Sequence, residues 1–296
     1  MTETDNAPKA EKKKKSDLVP RVVTAVVAIP LLLALFLYAP AWAFLILIAA
    51  AGAISAWEYC NITIGEEMPI AKWLVAAMTG GVISVMYFFP QHLVPTLLGV
   101  AISYFLFILF AHKDQPRSTH HIGSGITAMI YGGLMFGCIA LLRQKGGDVG
   151  QLWVILALAI VWGSDTGAYF AGRAFGKHKL YPSVSPNKTI EGALGGVVTS
   201  VLFTLGFDAL FVATSEAWVS LELWQVFLIA IPGNLLAQTG DLCESLIKRA
   251  HGVKDSGTII YGHGGMLDRI DALIFASPWF YHFVLWFTAH GSNAAS

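Results

Sequence analysis

Apolar runs long enough to cross a membrane recur from one end of this 296-residue chain to the other. A spanning helix needs about 20 apolar residues, because each residue adds ~1.5 Å and the hydrocarbon core is ~30 Å thick. The sequence predicts nine spans, near 22–38, 41–57, 71–89, 93–111, 123–142, 152–171, 190–213, 223–240 and 272–289. Since backbone groups in lipid must be satisfied internally, the predicted fold class is all-α, a polytopic integral membrane protein with about nine transmembrane helices.

The N-terminus differs from the rest of the chain. Residues 1–20 are polar, include the run Lys12 to Lys15 and lack apolar periodicity, which predicts a disordered cytoplasmic tail before a membrane-embedded domain at 21–296. A lysine run before an apolar stretch resembles a signal peptide, but no small-residue cleavage site precedes a soluble domain and more spans follow at once. The first span is therefore interpreted as a retained anchor.

Lys and Arg are distributed unequally between alternate loops. With the N-terminus in the cytoplasm, 17 of the 19 basic residues fall on the cytoplasmic side and only Arg143 and Lys145 fall opposite. Cytoplasmic loops are the ones that retain Lys and Arg. The count therefore predicts a cytoplasmic N-terminus, and it places the two most polar loops, 172–189 and 241–271, on the same side of the membrane.

The stretch from Asp241 to Asp271 concentrates charge and glycine, with about a third of its residues charged against 13% in the whole chain. Its first polar residues stand at offsets 0, 3, 4, 7 and 8, namely Asp241, Glu244, Ser245, Lys248 and Arg249. A helix continuing from the preceding span would carry them on one face. Such a stripe can hold a metal at one end and a phosphate at the other. The alternative is an ordinary solvated face with i,i+4 ion pairs.

A glycine turn and an acidic helix start follow the stripe. Residues 254–257 (KDSG) precede residues 262–265 (GHGG), whose glycines let backbone N–H groups approach an anion. Asp268 and Asp271 come next, one helical turn apart. Carboxylates, glycine loops and cations are what Mg²⁺ with a polyphosphate requires, which favours phosphoryl or nucleotidyl transfer. His263 is interpreted as a turn residue or a phosphate donor rather than a metal ligand.

The other polar loop carries compatible chemistry. Asp165 interrupts the apolar sequence of the sixth span, where an ionisable residue indicates function; the alternative is a structural partner for a cation such as Arg173. The basic, turn-rich residues 172–189 suit anionic headgroups or a triphosphate. Lys188-Thr189 does not complete a P-loop, because no GxxxxGK precedes it and no strand context is predicted.

Other features of the spans receive structural interpretations. Glu58, at the end of the second span, is interpreted as an interfacial residue, and Asp208 in the seventh span lies in no motif and is left unassigned. Cys60, Cys138 and Cys243 form no CxxC pair, so neither a disulfide framework nor a zinc site is predicted. The glycine-rich stretches 122–137 and 192–196 predict close helix packing through small residues.

The charged residues of 241–271 have fixed gaps that resemble a known family signature. That signature reads S-x-hydrophobic-K-R-x4-K-D-x-small, then H-G-G-x-x-D-R-x-D, and is carried here by Ser245, Lys248, Arg249, Lys254, Asp255, Gly257, His263, Gly264, Gly265, Asp268, Arg269 and Asp271. The stretches SDTGAYFAGRAFGK from Ser164 and SPNKTIEG from Ser185 resemble further blocks of the same family. The family is bacterial phosphatidate cytidylyltransferase, also called CDP-diacylglycerol synthase.

The resemblance implies a nucleotidyltransferase that moves CMP from CTP to phosphatidate, giving CDP-diacylglycerol and pyrophosphate for phospholipid biosynthesis. It implies Mg²⁺, with K⁺ or Mg²⁺ as a possible second cation, and no nucleic-acid partner. It also implies a homodimer in the bacterial inner membrane with its site on the cytoplasmic side.

The resemblance also implies roles for individual residues. Asp241 and Asp268 are expected to bind the metal; Ser245, Lys248 and Arg249 are expected to contact phosphates; Arg269 and Asp271 complete the catalytic set. The remaining expected substrate-binding residues are Asp165, Lys188, Lys254, Asp255, His263, Gly264 and Gly265.

Two enzyme alternatives and one of a different class stay open at this point. A CTP-dependent polyprenol or phytol kinase, or a cytidylyltransferase of ether lipids, would use a similar metal site. A cation transporter would use Asp165 and Asp208 as its pathway. The concentration of charge in two loops, rather than along a transmembrane track, weighs against the transporter.

Overall fold

The structure is a computed structural model that describes residues 34–111, 115–259 and 264–291. Within those ranges, eight helical stretches are long and apolar enough to cross a membrane, which confirms the all-α membrane fold class. They correspond to the second to ninth predicted spans. The first predicted span, 22–38, lies mostly outside the described residues, and the predicted tail at 1–20 lies wholly outside them.

The helices follow the predicted order along the chain. They are α1 (Ala41–Thr63), α2 (Pro69–Phe88), α3 (Leu93–Ala111), α4 (Gln115–Ala128), α5 (Phe136–Lys145), α6 (Gly150–Phe175), α7 (Ile190–Thr214), α8 (Leu223–Ala250) and α9 (Leu267–Gly291). A π-helical segment, Met129–Met135, joins α4 and α5 into one continuous span. Short 3-10 turns stand at Pro90–His92 and Gly147–Val149.

Several helices extend beyond the predicted apolar spans. α8 continues past the predicted end at residue 240 to Ala250, so the polar stripe is helical and the connecting loop is only 251–266. α1 likewise runs on to Thr63 and α6 to Phe175. The apolar count located the parts of these helices that suit lipid and missed their polar ends.

A small β-hairpin that the sequence did not predict lies between α6 and α7. Strands β1 (Lys179–Tyr181) and β2 (Ser185–Thr189) pair antiparallel, with Lys179 opposite Thr189 and Tyr181 opposite Ser185. The polar residues of 172–189 therefore form a compact hairpin over the ends of two membrane helices. This hairpin gives Lys188 a fixed position.

Close glycine contacts hold α6 against α7. A Cβ atom at Gly195 would lie 2.2 Å from the Cβ atom of Ala171, and one at Gly167 would lie 2.6 Å from the carbonyl oxygen of Gly195. A similar contact joins α1 to the π-helical segment, where a Cβ atom at Gly132 would lie 2.8 Å from the carbonyl oxygen of Gly52. The predicted packing through small residues in both glycine-rich stretches is confirmed.

Candidate active site

A cavity of about 580 Å³ lies where the hairpin meets α6, α7 and α8. Its size is in the range of small-molecule sites. Its lining comprises Asp165, Ala168, Tyr169, Gly172, Arg173, Leu180, Asn187, Lys188, Thr189, Gly192, Ala193, Gln238 and Asp241. The cavity brings together three predicted site residues, one each from α6, the hairpin and α8.

An ion pair between Lys188 and Asp241 forms part of the wall of this cavity. The Lys188 Nζ atom lies 2.7 Å from Asp241 Oδ2, and both side chains are about a third exposed or less. β2 leads directly into α7, where Thr189 caps the helix by accepting a hydrogen bond from the Gly192 amide at 3.1 Å. The cap fixes the end of the strand, and with it the approach of Lys188 to α8.

Glu191 anchors the other end of the hairpin. Its Oε2 atom accepts a hydrogen bond from the Lys177 amide at 3.1 Å, and its Oε1 atom lies 2.6 Å from His178 Nδ1. The His178 amide donates to the same carboxylate. A carboxylate in the first turn of α7 also interacts favourably with the helix dipole. The hairpin is thus tied to α7 at both ends.

α6 supplies one wall of the cavity. Asp165, Tyr169 and Arg173 lie at offsets 0, 4 and 8, on one helix face, and Arg173 Nη1 donates to the Tyr169 hydroxyl at 3.1 Å. Asp165 is close enough for its charge to interact with those of Asp241 and Lys188. The cavity therefore presents carboxylates and cations together, an arrangement that suits a metal-bound phosphate better than an apolar ligand.

A second charged cluster lies about one to two helical turns further along α8. Lys248 contacts Glu244 Oε2, and its Nζ atom lies 2.6 Å from Asp268 Oδ1 in the first turn of α9. The other oxygen of Asp268 accepts hydrogen bonds from the amides of Ser256 at 2.9 Å and Gly265 at 3.0 Å. Asp268 is thus held by a lysine on one side and by the loop backbone on the other.

Asp271 and Ser245 connect the two clusters. The charges of Asp271 and Asp241 interact across the gap between α9 and α8. Ser245 Oγ donates a long hydrogen bond of 3.4 Å to Asp241 Oδ1, and the Ala272 amide donates to Asp271 Oδ1 at 2.8 Å. The stripe predicted on α8 therefore faces α9 and the hairpin, rather than forming only a solvated face.

Other predicted site residues lie outside this constellation. Arg249, Lys254, Asp255 and Arg269 are exposed, and Arg249 Nη1 donates to the Val253 carbonyl at 2.9 Å. Gly264 has a φ of +86°, the left-handed conformation that glycine adopts without strain. His263 lies outside the described residues.

A Mg²⁺ ion is compatible with the donors present. Among the described residues, no group of three or more His, Cys, Asp or Glu side chains is arranged to hold a metal ion. Mg²⁺, however, commonly uses one or two carboxylates and completes its shell with substrate phosphates and water. Asp241 and Asp268 are such carboxylates, and each already faces a cationic ammonium group at 2.7 Å and 2.6 Å respectively.

Sequence reasoning missed several residues around the site. Glu58, interpreted as interfacial, is fully buried and hydrogen-bonded to the loop before α9, a contact that the sequence did not indicate. Gln238 lines the cavity and donates to the Ala193 carbonyl at 3.1 Å. The acidic side chain of Glu58 in an otherwise apolar stretch could have indicated a buried functional residue. Asn187 and Gln238 are uncharged, so nothing in the sequence indicated that they line the cavity.

Asp208 lies far from the cavity. It is 16 residues along α7 from Gly192, roughly 24 Å at 1.5 Å per residue. Its Oδ1 atom accepts hydrogen bonds from Trp218 Nε1 at 2.8 Å and the Leu221 amide at 3.1 Å, and its Oδ2 atom accepts one from Ser220 Oγ at 3.0 Å. Asp208 therefore holds the loop between α7 and α8.

Comparisons with known proteins show which family the sequence matches. The family model described as the cytidylyltransferase family matches residues 19–287. Phosphatidate cytidylyltransferase of Haemophilus influenzae is 31% identical over 293 residues, covering 90% of this chain and 99% of that protein. The Pseudomonas aeruginosa protein of the same name is 33% identical over 266 residues, covering 88% and 94%.

A shorter match has higher identity. Phosphatidate cytidylyltransferase of Staphylococcus epidermidis is 47% identical over 129 residues, which is 44% of this chain and 47% of that protein. The match thus spans about half the length of that relative.

Proposed function

The chain belongs to the cytidylyltransferase family, and on that premise we propose that it transfers CMP from CTP to phosphatidate. A phosphate oxygen of the lipid attacks the α-phosphorus of CTP, the bond to the oxygen bridging the α- and β-phosphates breaks, and pyrophosphate leaves with the electron pair. The products are CDP-diacylglycerol and pyrophosphate. The observation that carries the proposal is the cavity in which Lys188 from the hairpin meets Asp241 from α8.

The site chemistry suits this reaction. A lipid phosphate is already ionised near neutral pH, so a strong general base is not required. The protein must bring two anions together, align the attack and stabilise the charge that develops on the leaving pyrophosphate. Lys188 and Arg173 line the cavity, and Lys248 lies about two turns beyond Asp241 on α8. These cations can offset the phosphate charge from two sides.

We assign the predicted residues to roles within this reaction. Ser245, Lys248 and Arg249 contact phosphates, Asp165 and Lys188 act from the other side of the cavity, and Arg269 and Asp271 complete the site. Lys254 and Asp255 order the loop that precedes α9, and together with His263, Gly264 and Gly265 they belong to the proposed substrate-binding residues. Asp241 and Asp268 would hold a Mg²⁺ ion, which would supply charge neutralisation at the phosphates when bound. A second cation, K⁺ or Mg²⁺, belongs to the same proposal.

We further place this site on the cytoplasmic side of a bacterial inner membrane, in a homodimer. Support for the side comes from the unequal distribution of Lys and Arg, with 17 of 19 on one side. CTP is supplied from the cytosol, and phosphatidate carries its headgroup at the interface. Both substrates can therefore reach a site at that membrane surface.

Labelled CTP tests the proposal directly. Purified protein in detergent or nanodiscs is incubated with phosphatidate and with CTP labelled at either the α- or the γ-phosphate. We expect label from the α-phosphate in the lipid product and label from the γ-phosphate in pyrophosphate. Transfer of the γ-label to an added polyprenol or phytol would indicate a kinase instead, and transfer of the α-label to an ether-linked lipid phosphate but not to phosphatidate would indicate an ether-lipid cytidylyltransferase.

Asp241→Ala removes the α8 carboxylate from the proposed site and should abolish lipid-dependent pyrophosphate release. Its control is Asp148→Asn, an exposed residue in the loop on the opposite side. Undiminished lipid-dependent pyrophosphate release by folded Asp241→Ala would exclude the proposed site.

A further inference from the structure

Glu58 lies at the centre of a buried connection between α1 and the loop that precedes α9. Its side chain is fully buried, although it is an acidic residue in a helix of apolar composition. It contacts residues 198 to 209 positions later in the chain. Burying a carboxylate is costly unless hydrogen bonds compensate it, so a buried acid of this kind has a specific structural or functional reason.

Three donors satisfy the Glu58 carboxylate. Oε2 accepts hydrogen bonds from Ser256 Oγ at 3.1 Å and from the Leu267 amide at 2.8 Å, and Oε1 accepts one from the Met266 amide at 3.0 Å. The last two amides stand at the start of α9, where the first N–H groups have no partner within the helix. Glu58 therefore caps α9 from another helix and neutralises the positive end of its dipole.

Ser256 joins Glu58 to Asp268. While its hydroxyl donates to Glu58, its backbone amide donates to Asp268 Oδ2 at 2.9 Å, and the Asp268 amide donates to Ser256 Oγ at 3.3 Å. A single residue thus contacts both carboxylates. Ser256 is therefore the direct hydrogen-bonded link between Glu58 and Asp268.

Two glycines allow the loop to close on Glu58. A Cβ atom at Gly257 would lie 2.5 Å from Glu58 Oε1, and one at Gly265 would lie 2.6 Å from Oε2. Gly265 also donates its amide to Asp268 at 3.0 Å. The backbone around Glu58 is therefore packed so closely that no other residue type fits at these two positions without displacement.

We infer that Glu58 is a positioning residue for the transfer reaction, fixing Asp268 through Ser256 and the start of α9. The inference rests on the proposed function, since Asp268 is the carboxylate proposed to bind the metal. Substituting a residue that orients a metal ligand without touching the metal commonly lowers activity or metal affinity 10–100-fold. Glu58 lies in that relation to Asp268.

Two variants test this role, with one control. Glu58→Gln keeps the size of the side chain but replaces one acceptor oxygen with a donor and removes the charge at the α9 terminus. Ser256→Ala removes only the link between Glu58 and Asp268. The control is Glu66→Gln, an acidic residue just beyond α1 whose side chain is 88% exposed.

Each variant is purified in nanodiscs, its folded fraction is determined by thermal unfolding, and kcat and KM are measured per folded molecule. Mn²⁺ binding, followed by electron paramagnetic resonance, is measured without substrate. For Glu58→Gln we expect kcat to fall by about 10–100-fold and Mn²⁺ affinity to weaken, while KM for CTP changes much less. Ser256→Ala should lower kcat and weaken Mn²⁺ binding by smaller factors. Glu66→Gln should have the same kcat and Mn²⁺ affinity as the parent protein.

A purely structural role would lower the folded fraction and leave kcat and Mn²⁺ affinity per folded molecule unchanged, and that result would overturn the inference. If Glu58→Gln does not fold, Ser256→Ala decides by the same criterion. Failure of the parent protein to transfer the α-phosphate of CTP would instead reject the proposed function. The Mn²⁺ measurement would still test the positioning role in that case.

Discussion

Lys188 Nζ lies 2.7 Å from Asp241 Oδ2, although the two residues are 53 positions apart in the sequence. The pair joins the β-hairpin to α8, and both residues line the cavity. Both side chains keep partial solvent access, and on the proposed function a phosphate would replace the carboxylate as partner of the ammonium group. The ion pair therefore brings the polar segments 172–189 and 241–271 together at one site.

Replacing Lys188 with Met should reduce kcat/KM for CTP by about 100-fold or more, because one preorganised cation facing the phosphates is removed. The measurement is lipid-dependent pyrophosphate release at varied CTP. The control is Lys179→Met, in the other strand of the hairpin, where the side chain is exposed. Equal activities of the two variants would show that Lys188 only stabilises the hairpin.

Removing divalent cations should abolish activity, and Mg²⁺ should restore it. On the proposed function, Asp241 and Asp268 would place two carboxylates near the phosphates of the substrates, where the negative charges repel unless a cation intervenes. The test is activity after EDTA treatment, followed by titration with Mg²⁺. Asp268→Asn should need a higher Mg²⁺ concentration for half-maximal activity than Asp148→Asn does. Full activity in EDTA would exclude the metal from the mechanism.

The sidedness of the site can be tested by cysteine labelling. In a protein with Cys60, Cys138 and Cys243 replaced, Lys254→Cys and Asp148→Cys introduce single thiols at exposed positions. A membrane-impermeant maleimide should label residue 254 only in inside-out vesicles and residue 148 only in right-side-out vesicles. The reverse pattern would contradict the orientation predicted from the basic residues.

Most of the fold could be predicted from local properties of the chain. Hydropathy located the eight described spans, because a membrane imposes the same length on each of them. The spacing of Asp241, Glu244 and Lys248 correctly indicated one helix face, since that spacing is a property of the helix itself. Features that depend on one continuous segment were therefore predictable.

Contacts between distant segments were not predictable in the same way. Glu58 and Ser256 are 198 positions apart, and nothing in the composition around Glu58 indicates which loop it meets. The hairpin was missed because β1 and β2 have only three and five residues, too few to show an alternating pattern among so many polar side chains. Gln238 is an uncharged residue in an apolar span, and its role in the cavity depends on its contact with α7, which the sequence of α8 alone does not indicate.

Gly195→Ala should destabilise the protein by about 1–3 kcal/mol, because the added methyl group would overpack the contact between α6 and α7. Its Cβ atom would lie 2.2 Å from that of Ala171 and 3.0 Å from the Gly167 carbonyl oxygen. Gly206→Ala on the same helix is the control, since a Cβ atom there meets nothing within 4 Å. The midpoints of thermal unfolding of the two variants are compared in the same detergent, and Gly195→Ala should unfold at the lower temperature. Equal midpoints would contradict the close packing of α6 against α7.

Asp208→Asn should lower stability and leave turnover per folded molecule unchanged. Asp208 accepts three hydrogen bonds, at 2.8, 3.1 and 3.0 Å, and the amide nitrogen of Asn would leave at least one donor without an acceptor. The expected loss is about 1–3 kcal/mol in the free energy of unfolding, measured by thermal unfolding beside the exposed Asp148→Asn. A cation pathway through Asp208 predicts the opposite, loss of function without loss of stability. Because the three donors come from the loop between α7 and α8, roughly 24 Å from the cavity along α7, unchanged turnover would separate the stabilising role of Asp208 from catalysis.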